Sequence, residues 1–220
     1  MRKTGVMEVG LCGRSGSGKG YVSAVFARFG IPSVDTDAVY RALTGPAPEP
    51  SPCMRALSER FGPSVLSPDH SLNRAAMRTL VFGEGNGENL ADLNAISHRF
   101  IREDTRRRTA ELFEAGYPVV LVDAPLLYES GFDSFCEAVV CVTAPEDVIL
   151  RRIMARDGLS REDAAKRLAA QIPAEELEER ADFTIVNDGS LQELEARVEA
   201  VARELFRIRS ERYGEREAGE

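Results

Sequence analysis

Apolar and polar positions along this chain repeat with two different periods, and the switches between them outline its elements. Residues 6–12 are a short apolar run, residues 13–18 a glycine-rich turn, and residues 21–29 space their apolar side chains as a helix does. Strand, loop and helix are therefore expected in that order. Residues 30–37 read as a second short strand closing on two acids, Asp35 and Asp37, at the end where open α/β sheets place their ligands. From 38 to 116 the pattern is helical, with segments at 54–61, 74–82 and about 90–115 and no strand run between them. The strand pattern then returns. Residues 117–123 form a continuous apolar run ending on Asp123, as a strand buried on both faces should, and 138–142 and 183–187 are two more.

Smaller signals mark the boundaries. The proline-rich stretch 45–52 and the glycine-rich stretch 83–87 read as loops. Thr143-Ala144-Pro145-Glu146 has the spacing of a capping box opening a helix. Beyond it, Arg151, Arg152, Arg156, Arg161 and Arg167 crowd a helix-turn-helix whose second helix starts at Ser160, with Asp163 three residues on. Two readings of those arginines stand side by side: a solvated charged face, or a mobile lid that closes over a phosphate. From Ser190 onward, Leu191, Leu194, Val198, Val201 and Leu205 mark an amphipathic helix for the sheet, and 211–220 reads as a frayed charged tail.

Composition narrows the classes. At 220 residues the chain can build one substantial core with a smaller appended lobe, and 43% hydrophobic with 29% charged residues is ordinary for a soluble globular protein. A net charge of −8 argues against nucleic acid as a partner, while leaving room for a local phosphate pocket. No run is long enough to span a membrane, and the first eight residues do not read as a cleaved signal. Cys12, Cys53, Cys136 and Cys141 lack zinc-ligand spacing, and His70 and His98 are scattered, so reduced thiols in a cytoplasmic protein are expected.

The glycine turn carries the first chemistry. Gly13, Gly18 and Lys19 have the spacing of a phosphate-binding loop, placed between strand and helix as that loop requires. Glycines let successive backbone N–H groups turn inward, the helix N-terminus favours an anion, and Lys19 reaches terminal phosphates. Lysine is scarce here, at positions 3, 19 and 166 alone, and Lys19 stays lysine where a compact ammonium suits crowded phosphates. One position departs from the pattern. Gly20 stands where a Ser or Thr hydroxyl would bind Mg2+, so weakened metal use is expected, with water and substrate phosphates carrying the ion.

Further segments, in order, bring a family into view. They are Val34-Asp35-Thr36-Asp37 with Arg41; Asn73-Arg74 through Leu80-Val81-Phe82; Leu93-Asn94-Ala95-Ile96-Ser97-His98; Asp123-Ala124-Pro125-Leu126-Leu127-Tyr128-Glu129; Arg167-Leu168-Ala169-Ala170-Gln171; and Ala181 through Gly189. With the loop, they make the chain resemble the dephospho-coenzyme A kinases, P-loop kinases related in fold to the nucleoside monophosphate kinases, over about 9–201. The Pro-Leu-Leu-aromatic-Glu segment and the Asn-x-Gly strand end are the most specific parts. The resemblance implies an α/β fold with a five-stranded parallel sheet flanked by helices. It divides the chain into a core (1–38, 117–150 and 181–210), an inserted helical substrate lobe (39–116) and an Arg-rich lid (151–180).

The resemblance also implies transfer of the γ-phosphoryl of ATP to the 3′-hydroxyl of the ribose of dephospho-coenzyme A. Phosphoryl transfer is mostly positioning and charge stabilisation, so few parts are needed. The backbone of residues 13–20, chiefly Gly16, Ser17, Gly18 and Gly20, would hold the ATP phosphates with Lys19, beside Tyr21. Asp37 would accept the hydroxyl proton, with Asp35 as helper, and Arg152 and Arg156 would neutralise transition-state charge. Asp123 would support Mg2+ through water. Arg41, His98, Pro125 and Leu126 would line the acceptor side, and Asn187 would lie near the adenine. The implied enzyme is a monomer or small homo-oligomer. Other departures from the family pattern are Arg14 for a usual glycine, Arg99 for a proline and Leu177 for a lysine. Two alternatives stay open: a related kinase with a nucleoside or nucleotide acceptor, and a nucleotide-binding protein without catalysis, which Gly20 favours and Lys19, Asp37 and the arginines oppose.

Overall fold

Strands β1 (Met7–Cys12), β2 (Ser33–Asp35), β3 (Val119–Asp123), β4 (Ala138–Thr143) and β5 (Phe183–Val186) form one parallel sheet in the order β2-β3-β1-β4-β5. The computed structural model describes residues 5–82 and 86–214. In register, Leu11 of β1 faces Asp123 of β3, and Cys12 faces Cys141 of β4. The chain leaves β1 toward one edge of the sheet and β3 toward the other, so their C-terminal ends meet where the winding reverses. Open α/β sheets bind ligands at that point.

The helices among the described residues are α1 (Lys19–Arg28), α2 (Thr36–Thr44), α3 (Pro52–Phe61), α4 (Arg74–Val81), α5 (Gly87–Glu114), α6 (Glu146–Asp157), α7 (Arg161–Ala169), α8 (Ala174–Arg180) and α9 (Leu191–Tyr213). Contacts divide the chain into two compact units: the described parts of 1–34 with 109–220, and residues 35–108.

In the first unit, Val9, Leu11, Leu121 and Val140 present one face of the sheet to Val22 and Phe26 of α1 and to Leu194, Val198 and Leu205 of α9. Val120, Val139 and Cys141, alternating with them, are also buried. Burial on both faces explains the uninterrupted apolar runs of β3 and β4, and each such side chain contributes about 1.5–3 kcal/mol by leaving water. Helix α9 opens on a capping box, Ser190 accepting from the Glu193 N–H at 3.2 Å while Glu193 accepts from the Ser190 N–H at 2.7 Å.

The second unit has its own core, in which Met54 and Leu57 of α3, Met77 of α4 and Val65 are packed against Leu90, Leu93 and Ile96 of α5. Its helices start on local caps. Ser51 accepts from the Met54 N–H at 3.1 Å with Pro52 in the first turn, and Asn73 accepts from the Ala76 N–H at 3.1 Å.

Several expectations are corrected. Thr143 caps nothing: it belongs to β4, its carbonyl takes the Asn187 N–H at 2.7 Å, and Pro145 precedes α6 without a side-chain cap. Pro52 begins a helix instead of ending a loop. Leu191 is 63% exposed, so the buried stripe of α9 starts at Leu194 and also includes Ala202. Residues 211–213 continue α9, while the rest of the expected tail, 215–220, lies outside the described residues. Residues 1–4 and 83–85, most of the second expected loop, lie outside them too. Among the described residues, the cysteines are free, no cluster of three or more His, Cys, Asp or Glu is arranged to hold a metal, and no helix is long and apolar enough to cross a membrane.

Candidate active site

The phosphate loop follows from what surrounds its glycines. Gly13 leaves β1 at φ +155°, and a Cβ there would sit 2.4 Å from the Val142 carbonyl oxygen, so any side chain would push against β4. Gly18 takes the left-handed conformation at φ +96° just before α1, and a Cβ there would collide with the Asn187 amide at 2.1 Å. As the N-cap of α1, Gly18 offers no side-chain acceptor, which leaves the first N–H groups of the helix to an anion.

Lys19 opens α1, and its Nζ is ion-paired with Oδ1 of Asp123 at the end of β3. Both side chains are mostly buried, at 17% and 10% exposure, so the pair is far less screened than a surface bridge. The register that sets Leu11 beside Asp123 brings the acid to the mouth of the loop. Asp123 thus holds the loop lysine directly.

Behind the loop, Asn187 follows β5 and is buried, donating from Nδ2 to the Ser17 carbonyl at 2.7 Å. Arg152 of α6 donates from Nη1 to the carbonyls of Gly16 and Ser17, both at 3.3 Å, and from Nη2 to Asn187 Oδ1 at 3.3 Å. Arg156, one turn on, donates to Ser15 Oγ at 3.1 Å and to Asp157 at 2.8 Å. Its hydrogen bond, helped by Arg167 from α7, holds the Asp157 carboxyl below the usual range. The arginine cluster therefore splits in two. Arg152, Arg156 and Arg167 belong to a network at the loop, whereas Arg151 makes an exposed pair with Asp147 four residues back and Arg161 is exposed.

After Asp123, Pro125 and Leu126 are exposed, Leu126 to 52%, while Leu127 is fully buried. Arg180 of α8 lies over the Tyr128 ring, 3.7 Å from its centroid. A Cβ at Gly20 would meet nothing within 4 Å, so a hydroxyl side chain fits there and none is present. The Tyr21 hydroxyl is engaged elsewhere, donating to Glu195 of α9 at 2.7 Å.

Within the second unit, Asp35 ends β2 and caps α2, accepting from the N–H groups of Asp37 at 2.8 Å and Ala38 at 3.1 Å. Its other oxygen pairs with Arg41 at 3.5 Å. Asp37 is thus in the first turn of α2, a correction to its expected place at a strand end. Its carboxylate is exposed and has no partner among the described residues. His98, half-buried on α5, has its imidazole pKa lowered by burial and by the charge of Arg102. Arg99 beside it lies over the Phe100 ring at 4.3 Å.

Sequence reasoning missed the direct pairing of Asp123 with Lys19 and the supporting place of Asn187 against Gly18. It also assigned no role to Arg14 or Gln171. The spacing of a buried acid at a strand end beside a loop lysine was the available signal for the first; nothing local marks the others.

Three comparisons bear on what this arrangement serves. The family model described as Dephospho-CoA kinase matches residues 7–193. A protein of Anaeromyxobacter dehalogenans named Dephospho-CoA kinase is 38% identical over 197 residues, covering 90% of this chain and 91% of the relative. One of the same name from Syntrophotalea carbinolica is 38% identical over 196 residues, covering 89% and 90%. Among solved structures, a Thermus thermophilus protein superposes with a TM-score of 0.72 at 34% identity, covering 91% of this chain and 98% of that one.

Proposed function

The chain belongs to the dephospho-CoA kinase family, and from that premise we propose that it moves the γ-phosphoryl of ATP to the 3′-hydroxyl of the ribose of dephospho-coenzyme A, giving coenzyme A and ADP. The observation that carries this reading is the likeness over about nine-tenths of the chain to relatives bearing that name, far more than a shared phosphate loop would produce.

The backbone N–H groups of Gly16, Gly18, Lys19 and Gly20 and the Lys19 ammonium receive the β- and γ-phosphates, the Ser17 N–H being taken by the Arg14 carbonyl at 3.0 Å. As phosphates approach, Lys19 shares its three donors between them and Asp123, which keeps it aimed at the loop mouth. Asp37 takes the hydroxyl proton; it is the acid free to do so, since Asp35 is committed to the helix cap and to Arg41. Arg152 and Arg156 supply positive charge where the transferring group develops negative charge. Both already lie at the loop, and in closing on the phosphates they exchange bonds they now make to it, Arg152 to the Gly16 and Ser17 carbonyls and Arg156 to Ser15 Oγ. Asn187 steadies Ser17 and Gly18 beside the adenine, while Arg41, His98, Pro125 and Leu126 serve the acceptor.

The residues present fit Mg2+ in a limited way. Asp123 is a carboxylate that would hold it through water, and open space at Gly20 replaces the usual hydroxyl ligand. When bound on the substrate phosphates, the ion would supply charge neutralisation between the β- and γ-groups.

The deciding experiment is ADP release by the purified chain with ATP, Mg2+ and dephospho-coenzyme A, against controls lacking acceptor and a parallel Mn2+ titration. Acceptor-dependent turnover yielding coenzyme A is expected. ATP binding without turnover on this acceptor would refute the reading, and turnover on a nucleoside instead would transfer the site to that acceptor.

A further inference from the structure

The segment from Arg167 to Gln171 has no part in the reaction proposed above, yet it reaches the phosphate loop directly at two points and at a third through Asp157 and Arg156. Ser15 donates its backbone N–H to Gln171 Oε1 at 3.0 Å. Arg14 reaches out from the loop and donates from Nη2 to the Leu168 carbonyl at 2.8 Å. That carbonyl is in the last turn of α7, where the helix dipole favours a cation. The Gln171 N–H closes on the same carbonyl at 3.1 Å, so the acceptor for Arg14 and the acceptor for Ser15 belong to one turn. At the other end, Arg167 holds Asp157 at 2.7 Å, Asp157 holds Arg156, and Arg156 reaches Ser15 Oγ.

Three bonds thus converge on two adjacent residues, Arg14 and Ser15, and the partner in each lies outside the loop. Their placement has a specific consequence. With their N–H groups taken by Gln171 and by the Arg14 carbonyl, at 3.0 Å each, Ser15 and Ser17 are not among the phosphate donors, which leaves Gly16, Gly18, Lys19 and Gly20. A flexible glycine loop otherwise loses conformational freedom whenever it closes on an anion. Fixing its crest beforehand removes part of that cost without touching the phosphates.

We propose that Arg14 and Gln171 are positioning residues for nucleotide binding, which clamp the crest of the phosphate loop to the end of α7 so that the N–H groups of Gly16, Gly18, Lys19 and Gly20 face inward before ATP arrives. The proposal rests on the reading of this loop as the ATP site and not on the identity of the acceptor.

The test compares Arg14→Met, Arg14→Lys and Gln171→Ala with the unaltered chain, by calorimetric titration with ADP and by steady-state kinetics. Arg14→Met keeps the stem and removes the donor, whereas Arg14→Lys restores a cation. Arg14→Met and Gln171→Ala are each expected to weaken ADP binding and raise KM for ATP by about three- to tenfold, the worth of one net hydrogen bond, with kcat and acceptor KM unchanged. Arg14→Lys should recover most of the loss. Unchanged ADP affinity in both, equal loss in Arg14→Lys and Arg14→Met, or a fall in kcat at constant KM would each overturn the clamp. Should Gln171→Ala prove unstable in a thermal melt, the Arg14 pair decides alone. ADP binding needs no acceptor, so failure to phosphorylate dephospho-coenzyme A would refute the proposed function and leave the clamp standing.

Discussion

The acids of the helical unit and the phosphate loop of the sheet unit are held in opposite ways. Asp35 is fixed by N–H groups two and three residues further on, and Arg41, its ion-pair partner, is six away. The loop is held by Leu168, Gln171 and Asn187, which lie 154, 156 and 170 positions from their partners. A helix cap forms with its own helix, whereas the loop reaches its shape only once β4, β5 and α7 are in place. Changes at the acids should therefore act on chemistry or on one helix, and changes behind the loop should act on nucleotide binding and on the stability of the unit.

The largest expected effect is at Asp37. Asp37→Asn should lower turnover by about 10²–10⁴-fold with ADP affinity unchanged, and near-normal turnover would remove Asp37 as the base. Next, Arg152→Ala should lower kcat by up to about 10³-fold, while Arg151→Ala, in the exposed half of the same cluster, should leave it unchanged. Equal losses from the two would erase the division of the cluster. A third contrast is in stability. Asn187→Ala removes a buried bond to Ser17 and a partner of Arg152, and should cost about 1–3 kcal/mol in denaturant unfolding. Asp35→Ala should cost about 0.5–2 kcal/mol, the range for losing a helix cap, with ADP affinity retained. If Asp35→Ala weakened ADP binding as much as Asn187→Ala, the contrast between local and distant support would fail.

Two smaller effects refine the picture. Gly20 has open space for a side chain, so Gly20→Ser should fold normally and lower the Mg2+ concentration needed for half-maximal rate, with acceptor preference unchanged. An unaltered metal titration would dismiss the residue at position 20 as a determinant of metal affinity. At His98, burial and then Arg102 depress the folded-state pKa below its ordinary value of 6.5. The unfolded chain then binds the proton more readily, so the stability associated with neutral His98 is complete above about pH 6.5 and is lost as pH falls through the folded-state pKa. His98→Gln should flatten that part of the stability profile.

Legibility followed the same divide. The loop was readable because Gly13, Gly18 and Lys19 lie within seven positions between a strand and a helix, each betrayed by its own periodicity. Ser160 was readable as a helix start because a cap and its N–H partner are three residues apart, whereas the helix after Ser190 was readable from its apolar stripe. Thr143 carried the same spacing and misled, since the sheet claims its backbone through Asn187, 44 residues later. Asp37 lies two residues beyond the strand it was expected to end, because a three-residue strand gives too short a pattern to show where it stops.

By itself, the sequence determined the order of the strands, the helical stretch between β2 and β3, the phosphate loop and the buried faces of β3 and β4, all of which depend on periodicity or on bonds between near neighbours. Only the tertiary structure decided that Asp123 pairs with Lys19, that Asn187 fills the space beside Gly18, and that Arg14 and Ser15 are tied to the end of α7. Those bonds join residues at least 104 positions apart, and their partners come within reach only through the strand order and the packing of α7.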